Sequence, residues 1–342
     1  MRYRQVTPGT GREGVGVRRR GLIVIFIATA ILASGCSVTP NSVVRGAPTW
    51  STPVRVGSYG LSAASPSLYG VSCPTAAFCV AVDENGGAAL WQSRKWSGPE
   101  SIEAGGTLTS ISCPSTSFCV AVSAGGASVT YNGRSWSSPQ VVGPAATYKV
   151  SCPTVTFCAA VGASGTAGAP STVATFDGRS WSAQQTSATG GLKDRLVDVS
   201  CATPKFCLAV NLDGKALAFD GRSWSTVVGS GPQGMISVSC PSSSKCLAIA
   251  VSGAYATFDG TSWSAAADIP TFGTAFAYSV SCESTTQCTA LGLSGMAVTW
   301  QHGRWSTPVR VFPGGSSATV AVSCVAPDAC MAVNSKGEAA IN

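Results

Sequence analysis

An all-β fold built as a ring of seven four-stranded blades is what this sequence predicts, and three observations predict it. Fourteen cysteines fall into Cys-x5-Cys pairs at Cys73/Cys79, Cys113/Cys119, Cys152/Cys158, Cys201/Cys207, Cys240/Cys246, Cys282/Cys288 and Cys324/Cys330. Their first members advance by 40, 39, 49, 39, 42 and 42 residues, a period that marks the blades of a β-propeller. Around each pair stand short apolar runs rich in β-formers and separated by turn formers, four runs to a repeat. The chain ends are complementary: Trp50-Ser-Thr-Pro-Val-Arg-Val56 recurs unchanged at Trp305–Val311, whereas the last repeat stops before its own fourth run.

Residues 1–35 read as an export signal. Arg18, Arg19 and Arg20 precede an uncharged 13-residue run, Gly21–Ala33, and then Ser34, Gly35 and Cys36, the three-part layout of a signal peptide. A spanning helix needs about 20 apolar residues, so the run is short for a permanent transmembrane segment. Small residues before Cys36 resemble the lipobox of bacterial lipoproteins, with Ala33 where that family favours leucine. The resemblance implies that Cys36 is diacylated and becomes the new N-terminus, and two acyl chains hold a protein durably at a membrane. Cleavage by an ordinary signal peptidase is the alternative, and Arg19-Arg20 leaves export by the general or the twin-arginine route open. Residues 36–49, with Pro40, Gly46 and Pro48, form the lipidated cysteine and tether, and residues 50–342 the propeller.

Within each repeat, Val71 or Ile111 before Ser-Cys opens the first strand, and Phe-Cys-Val-Ala-Val at 78–82 and 118–122 is the second. Ala127–Tyr131, Ala174–Phe176 and Ala216–Phe219 give the third, and Trp136, Trp181, Trp224 and Trp263 open the fourth. The third and fourth are joined by Asp-Gly-Arg-Ser at 177–180 and 220–223, with variants at Asn132-Gly133, Asp259-Gly260 and His302-Gly303, dipeptides that supply the positive φ of a hairpin. Seven tryptophans (Trp50, Trp96, Trp136, Trp181, Trp224, Trp263, Trp305) are expected to wedge between blades. The N-terminal strand is expected to complete the last blade, a 3+1 closure that leaves no open seam.

A Cys-x5-Cys pair bridging the neck of a hairpin brings its sulfurs within disulfide range, and an exported chain meets an oxidising compartment. With His302 the one histidine and no CxxC spacing, zinc sites are not expected, and no metal or cofactor is implied. Cys36 is the odd cysteine.

Composition narrows the function classes. Hydrophobic residues make up 45% and charged residues 11% of 342, so the chain can bury a core. The net charge of +7 resides mostly in the signal, where residues 1–35 hold six arginines and one glutamate. The remainder is close to neutral, and a nucleic-acid partner loses its electrostatic argument.

The Asp-Gly turn resembles the Asp-box of sialidase-type propellers, with aspartate and glycine adjacent here. The whole of residues 50–342 is similar to exported bacterial propellers with Ser-Cys-x5-Cys repeats. The sialidase resemblance implies an arginine triad, a tyrosine nucleophile with a glutamate, and an aspartate acid. Yet Arg55 and Arg310 are equivalent outer-strand positions, and Arg134, Arg179, Arg222 and Arg304 belong to the turn motif. No catalytic residue is assigned. A sialidase-like glycoside hydrolase or polysaccharide lyase is the alternative to a binding or scaffold propeller, monomeric and held at the outer face of the cytoplasmic membrane, that recognises a cell-wall glycan or a protein. Its binding residues are expected on the face where the connections vary in length: Tyr59, Tyr69, Tyr148, the Lys193-Asp194-Arg195 cluster, Phe272 and Phe276, with Tyr278 beside them. Half of these aromatics can equally lead into first strands and pack inward.

Overall fold

The computed structural model describes residues 49–57, 65–144, 147–163, 170–185, 195–269, 277–313 and 319–342, which fall in one compact unit, Arg45–Asn342. The signal, Cys36 and the tether lie outside them. Seven antiparallel sheets form the ring, each ordered first to fourth strand from the axis outward. The innermost strands are Leu68–Thr75, Leu108–Ser115, Thr147–Thr154, Leu196–Thr203, Met235–Ser242, Ala277–Ser284 and Thr319–Ala326, in blades one to seven. Among the described residues no helix is long and apolar enough to cross a membrane.

Closure follows the 3+1 expectation. Val54 and Arg55 pair with Ala339 and Glu338 of the last blade. On either side of this pair, Ser51 N–H donates to Ile341 O at 2.6 Å and Val56 N–H to Gly337 O at 2.9 Å.

Each blade faces the next through one apolar cluster, so seven clusters fill seven seams. Second strands such as Val80-Ala81-Val82 and Leu208-Ala209-Val210 are wholly buried. Their alternating valines and alanines let neighbouring sheets approach closely on both faces. The tryptophans sit at the rim of these seams, and only Trp224 is fully buried; the other six are half-buried. Each of five packs at a tilt against the aromatic closing its own third strand, as Trp181 against Phe176 and Trp136 against Tyr131, both with centroids 5.2 Å apart.

They stand on the outermost strand of each blade, which several blades interrupt. In the outer strands of blades one, two, six and seven, proline follows tryptophan by three residues and cannot donate to the ladder. Blades one and six accordingly carry this strand in two pieces, Lys95–Trp96 with Glu100–Ser101 and Arg304–Trp305 with Val309–Arg310. The serine after tryptophan accepts a third-strand donor at this interruption: Leu90 N–H donates to Ser97 Oγ at 2.9 Å, and Thr130 N–H to Ser137 Oγ, Thr257 N–H to Ser264 Oγ and Thr299 N–H to Ser306 Oγ each at 3.0 Å.

On one face, the Asp-Gly turns close around their own carboxylates. Asp177 Oδ1 accepts the N–H groups of Arg179 and Ser180, both at 2.9 Å, and Gly178 takes φ 93°. These bonds to the ionised form hold the carboxyls of Asp177, Asp220 and Asp259 below the usual range.

All seven expected disulfides form on the same face, each between the first and second strands of one blade. Cys73 is bonded to Cys79, Cys113 to Cys119, Cys152 to Cys158, Cys201 to Cys207, Cys240 to Cys246, Cys282 to Cys288 and Cys324 to Cys330. One detail departs from the expectation. The bonded Cα atoms lie 3.9–4.1 Å apart, closer than the spacing of about 4.5–5.5 Å between opposed strand residues. The cause is local: each pair sits beside the register shift that precedes a two-residue turn, as between Cys201 and Thr203. Within the bridges the partners are unequally covered. The second-strand members Cys79, Cys119, Cys158, Cys207, Cys246, Cys288 and Cys330 are all buried, because the second strand has a sheet neighbour on each side and a blade on each face. Cys282 and Cys324, on the axial edge, are only partly buried.

Candidate functional site

The inner edge of each blade would leave backbone N–H groups facing the axis, and the Val-Ser-Cys motif supplies their acceptors. The serine of each blade accepts the N–H of the cysteine in the next: Ser72 from Cys113, Ser112 from Cys152, Ser151 from Cys201, Ser200 from Cys240 and Ser239 from Cys282, all at 2.9 Å. Ser281 accepts from Cys324 and Ser323 from Cys73, both at 3.0 Å, which closes the circle. Along the sequence, this serine looks like any strand residue. Its role appears only once adjacent blades are placed side by side.

Two residues earlier a second ring lines an axial cavity of about 330 Å³ nearer the variable-loop face. Its members are Gly70, Ser110, Lys149, Asp198, Ser237, Ser279 and Ala321. Three serines again cap the next blade: Ser110 accepts from Val150, Ser237 from Val280 and Ser279 from Val322, each at 3.3 Å. Lys149 breaks the pattern, since an ammonium has no acceptor lone pair. Asp198 compensates: its Oδ1 takes the N–H of Val199, the donor Lys149 cannot cap, and its Oδ2 takes that of Val238, both at 2.9 Å.

Lys149 and Asp198 are thus the charged pair of the cavity. Lys149 Nζ donates to Thr109 O at 3.1 Å. Burial lowers the Lys149 pKa, and the attraction of Asp198 opposes that shift. Burial likewise pushes the Asp198 carboxyl up, against the pull of Lys149 and the bonds from Val238, Ser237 and Val199. Neither residue is among the candidates read from sequence, although aligning the seven repeats at this position exposes both as the charged exceptions.

Of the predicted aromatics, Tyr69 is half-buried and lines the cavity together with Tyr278, which is 42% exposed. Burial, and then the neighbouring Tyr69, raise the Tyr278 hydroxyl pKa. Tyr148 is 0% exposed and packs in the seam between blades two and three, so the inward alternative holds for it and it presents no surface to a ligand. Arg195 is exposed at the entry to its first strand. Tyr59, Lys193, Asp194, Phe272 and Phe276 lie outside the described residues. His302 occupies the third-to-fourth strand turn at φ 49°, as a hairpin residue.

Among the described residues no group of three or more histidine, cysteine, aspartate or glutamate side chains could hold a metal ion. On the turn face, Glu283 follows Cys282 where four other blades have proline. Both its carboxylate oxygens are buried without a hydrogen-bond partner. Desolvation, with the charge of Asp328 adding to it, pushes its pKa up to about 7.

No protein-family model and no curated protein matches the chain. Solved structures do. YCF48 bound to a D1 peptide superposes with a TM-score of 0.65 at 12% identity, over 85% of this chain and 94% of that one. YCF48 from Cyanidioschyzon merolae gives 0.63 at 11% identity over 85% and 98%, and the WD40 β-propeller domain of Doa1 gives 0.66 at 12% over 86% and 96%. At such identities the likeness is one of architecture, and it agrees with the blade count and strand order of the described residues: the chain is a seven-bladed β-propeller.

Proposed function

We propose that this propeller is an extracytoplasmic binding module, exported and held at the membrane through a lipidated Cys36, that recognises an envelope partner without turning it over. The observation that carries the reading is the axial cavity. Among the described residues its one carboxylate, Asp198, is committed to two backbone N–H groups, and its one ammonium, Lys149, stands in a wall of serine hydroxyls, tyrosines and aliphatic side chains. Such a lining orients a ligand through a few polar groups but supplies no carboxylate pair for glycoside hydrolysis. The connections from fourth to first strands differ in length along the sequence, which suits recognition on a rigid scaffold. A protein partner is favoured by the aliphatic lining, and one solved propeller of similar architecture is bound to a peptide. A cell-wall glycan is the second class of partner.

The test is a binding screen with envelope proteins and cell-wall glycan fragments, run beside a hydrolase and lyase panel on the same preparation. Saturable binding without turnover supports the reading, and turnover without a saturable partner overturns it. For the anchor, Cys36→Ser should move the protein out of the membrane fraction, and unchanged detergent-phase partitioning of that variant would refute lipidation.

A further inference from the structure

We propose that the axial cavity receives the C-terminal carboxylate of a peptide, held by Lys149 Nζ and by the inner-edge N–H groups of Val71 and Ile111. This deepens the binding reading above and rests on it.

The argument begins with the broken ring. Residues 71, 111, 150, 238, 280 and 322 share one register, each opposite the alanine in the middle of its second strand. Their N–H groups therefore point alike, toward the inner edge, where the preceding blade's serine or aspartate caps those of Val150, Val238, Val280 and Val322. The residues that should cap Val71 and Ile111 are Ala321 and Gly70, and neither has a hydroxyl. A Cβ built on Gly70 would stand 3.4 Å from the Ile111 nitrogen and 3.2 Å from Val82 Cγ2, so a side chain at this position would lie beside the uncapped N–H, with Val82 giving way by a few tenths of an ångström, and glycine leaves that N–H bare. Val71, Ile111 and Lys149 all line the same cavity.

Lys149 adds the charge. One of its three N–H donors goes to Thr109 O, and two remain for a ligand. Its presence displaces a serine-type cap, and Asp198 exists in the next blade in the form needed to repair that loss. A lysine installed at the expense of the repeat and then compensated is there for its ammonium. Asp198 accepts from two backbone N–H groups and from Ser237, so most of its acceptor capacity is used and it offers a cation little. The three donors on blades one to three thus form a cradle for a single anionic group.

The cavity favours a peptide end over an acidic sugar. Val197, Ile236, Val280 and Ala321 contribute to its wall, surfaces that suit an aliphatic terminal side chain better than a ring of hydroxyls. Strand-edge N–H groups also match the main-chain hydrogen bonding of an extended peptide. Tyr69 and Tyr278 stand at the same cavity, where their hydroxyls can meet preceding peptide carbonyls.

The experiment uses the full chain in detergent, titrated with acetyl-Ala-Ala-Ala-Val as the free acid, the same peptide as its carboxamide, and a uronic-acid tetrasaccharide. The free acid should bind saturably and the carboxamide at least tenfold more weakly. Lys149→Met should weaken the free acid at least tenfold. Gly70→Ser, which supplies the missing cap at the expense of a close contact with Val82, should also weaken it while the chain keeps its strand circular-dichroism signal and a single cooperative melt, so that loss of binding is separated from loss of fold. Equal binding of acid and amide, insensitivity to both substitutions, or binding of the tetrasaccharide in place of the acid would overturn the proposal. If the wild-type chain and Lys149→Met capture an envelope partner equally and neither binds the peptide, the carboxylate site fails while the binding reading stands; if no partner is captured at all, the reading itself fails.

Discussion

Ser323 Oγ in the last blade accepts the N–H of Cys73 in the first at 3.0 Å, across 250 residues of sequence. The same bond joins every other pair of neighbouring blades, so the join between chain ends is chemically the same as the six joins within the chain. A propeller's innermost strands present a sheet edge to the axis, and unpaired edge groups are costly where water is restricted. The Val-Ser-Cys motif answers this by placing an acceptor on one blade for the donor on the next.

Removing one of these hydroxyls should therefore cost more than a surface serine normally does. Ser112→Ala leaves the Cys152 N–H without its partner, and a lost hydrogen bond with a buried orphan donor costs about 1–2 kcal/mol. Chemical denaturation should show that loss for Ser112→Ala and for Ser323→Ala alike. A closure-site variant with no effect beside a destabilised interior one would mean that the two joins differ.

The disulfides predict a purely local map. Mass analysis without reduction should recover seven bridges, each within one repeat, and a dominant bridge between repeats would contradict the pairing. Each closes a short loop, for which the chain-entropy model gives about 2 kcal/mol. Replacing Cys240 and Cys246 together by serine should lower stability by about that amount while the ring persists, because the bridges of the other six blades are untouched.

Glu283 sets a pH dependence with a definite sign. Its pKa is raised from 4.5 to about 7 in the folded chain, so the native state holds its proton more tightly than the unfolded state does. Stability from this group is fully present below pH 4.5 and is lost as pH rises toward 7. Glu283→Gln should remove that slope and raise the melting temperature at pH 8, with no gain at pH 4. A variant as pH-sensitive as the parent between these limits would show that the carboxylate is solvated.

Much of this architecture is legible in the sequence because the repeat states it seven times. The Cys-x5-Cys spacing places the disulfides, from Cys73 with Cys79 to Cys324 with Cys330, although not the closeness of their backbones, which depends on the register shift at each turn. The Asp-Gly pairs place the hairpins, and the repeated Trp50–Val56 heptapeptide marks the closing strand. What is not legible depends on neighbours distant in sequence. Trp136 and Trp181 read as core, yet they lie half-buried at the rim because the fourth strand is the outermost of its blade. Lys149 and Asp198 escape notice because each sits inside a strand, whereas variable loops are where binding residues are ordinarily expected. Tyr148 reads as a loop aromatic although it is the second residue of its strand and faces a seam. The acceptor role of each motif serine is invisible until the next blade stands beside it.

Ring closure through the N-terminal strand is the claim on which both the fold and the positioning of the cavity depend, and one truncation tests it. Deleting residues 37–56 removes the strand Val54–Arg55 and the indole of Trp50, and it bares the edge of Glu338–Ile341. Because Trp50 is half-buried, its loss alone should cost less than the ~3–5 kcal/mol of a fully buried aromatic, and the bared edge should add association. Thermal unfolding followed together with light scattering should show the truncated protein melting well below the parent and aggregating, whereas deletion of residues 37–48 changes neither. A protein lacking residues 37–56 that stays monomeric and melts with the parent would contradict closure through this strand.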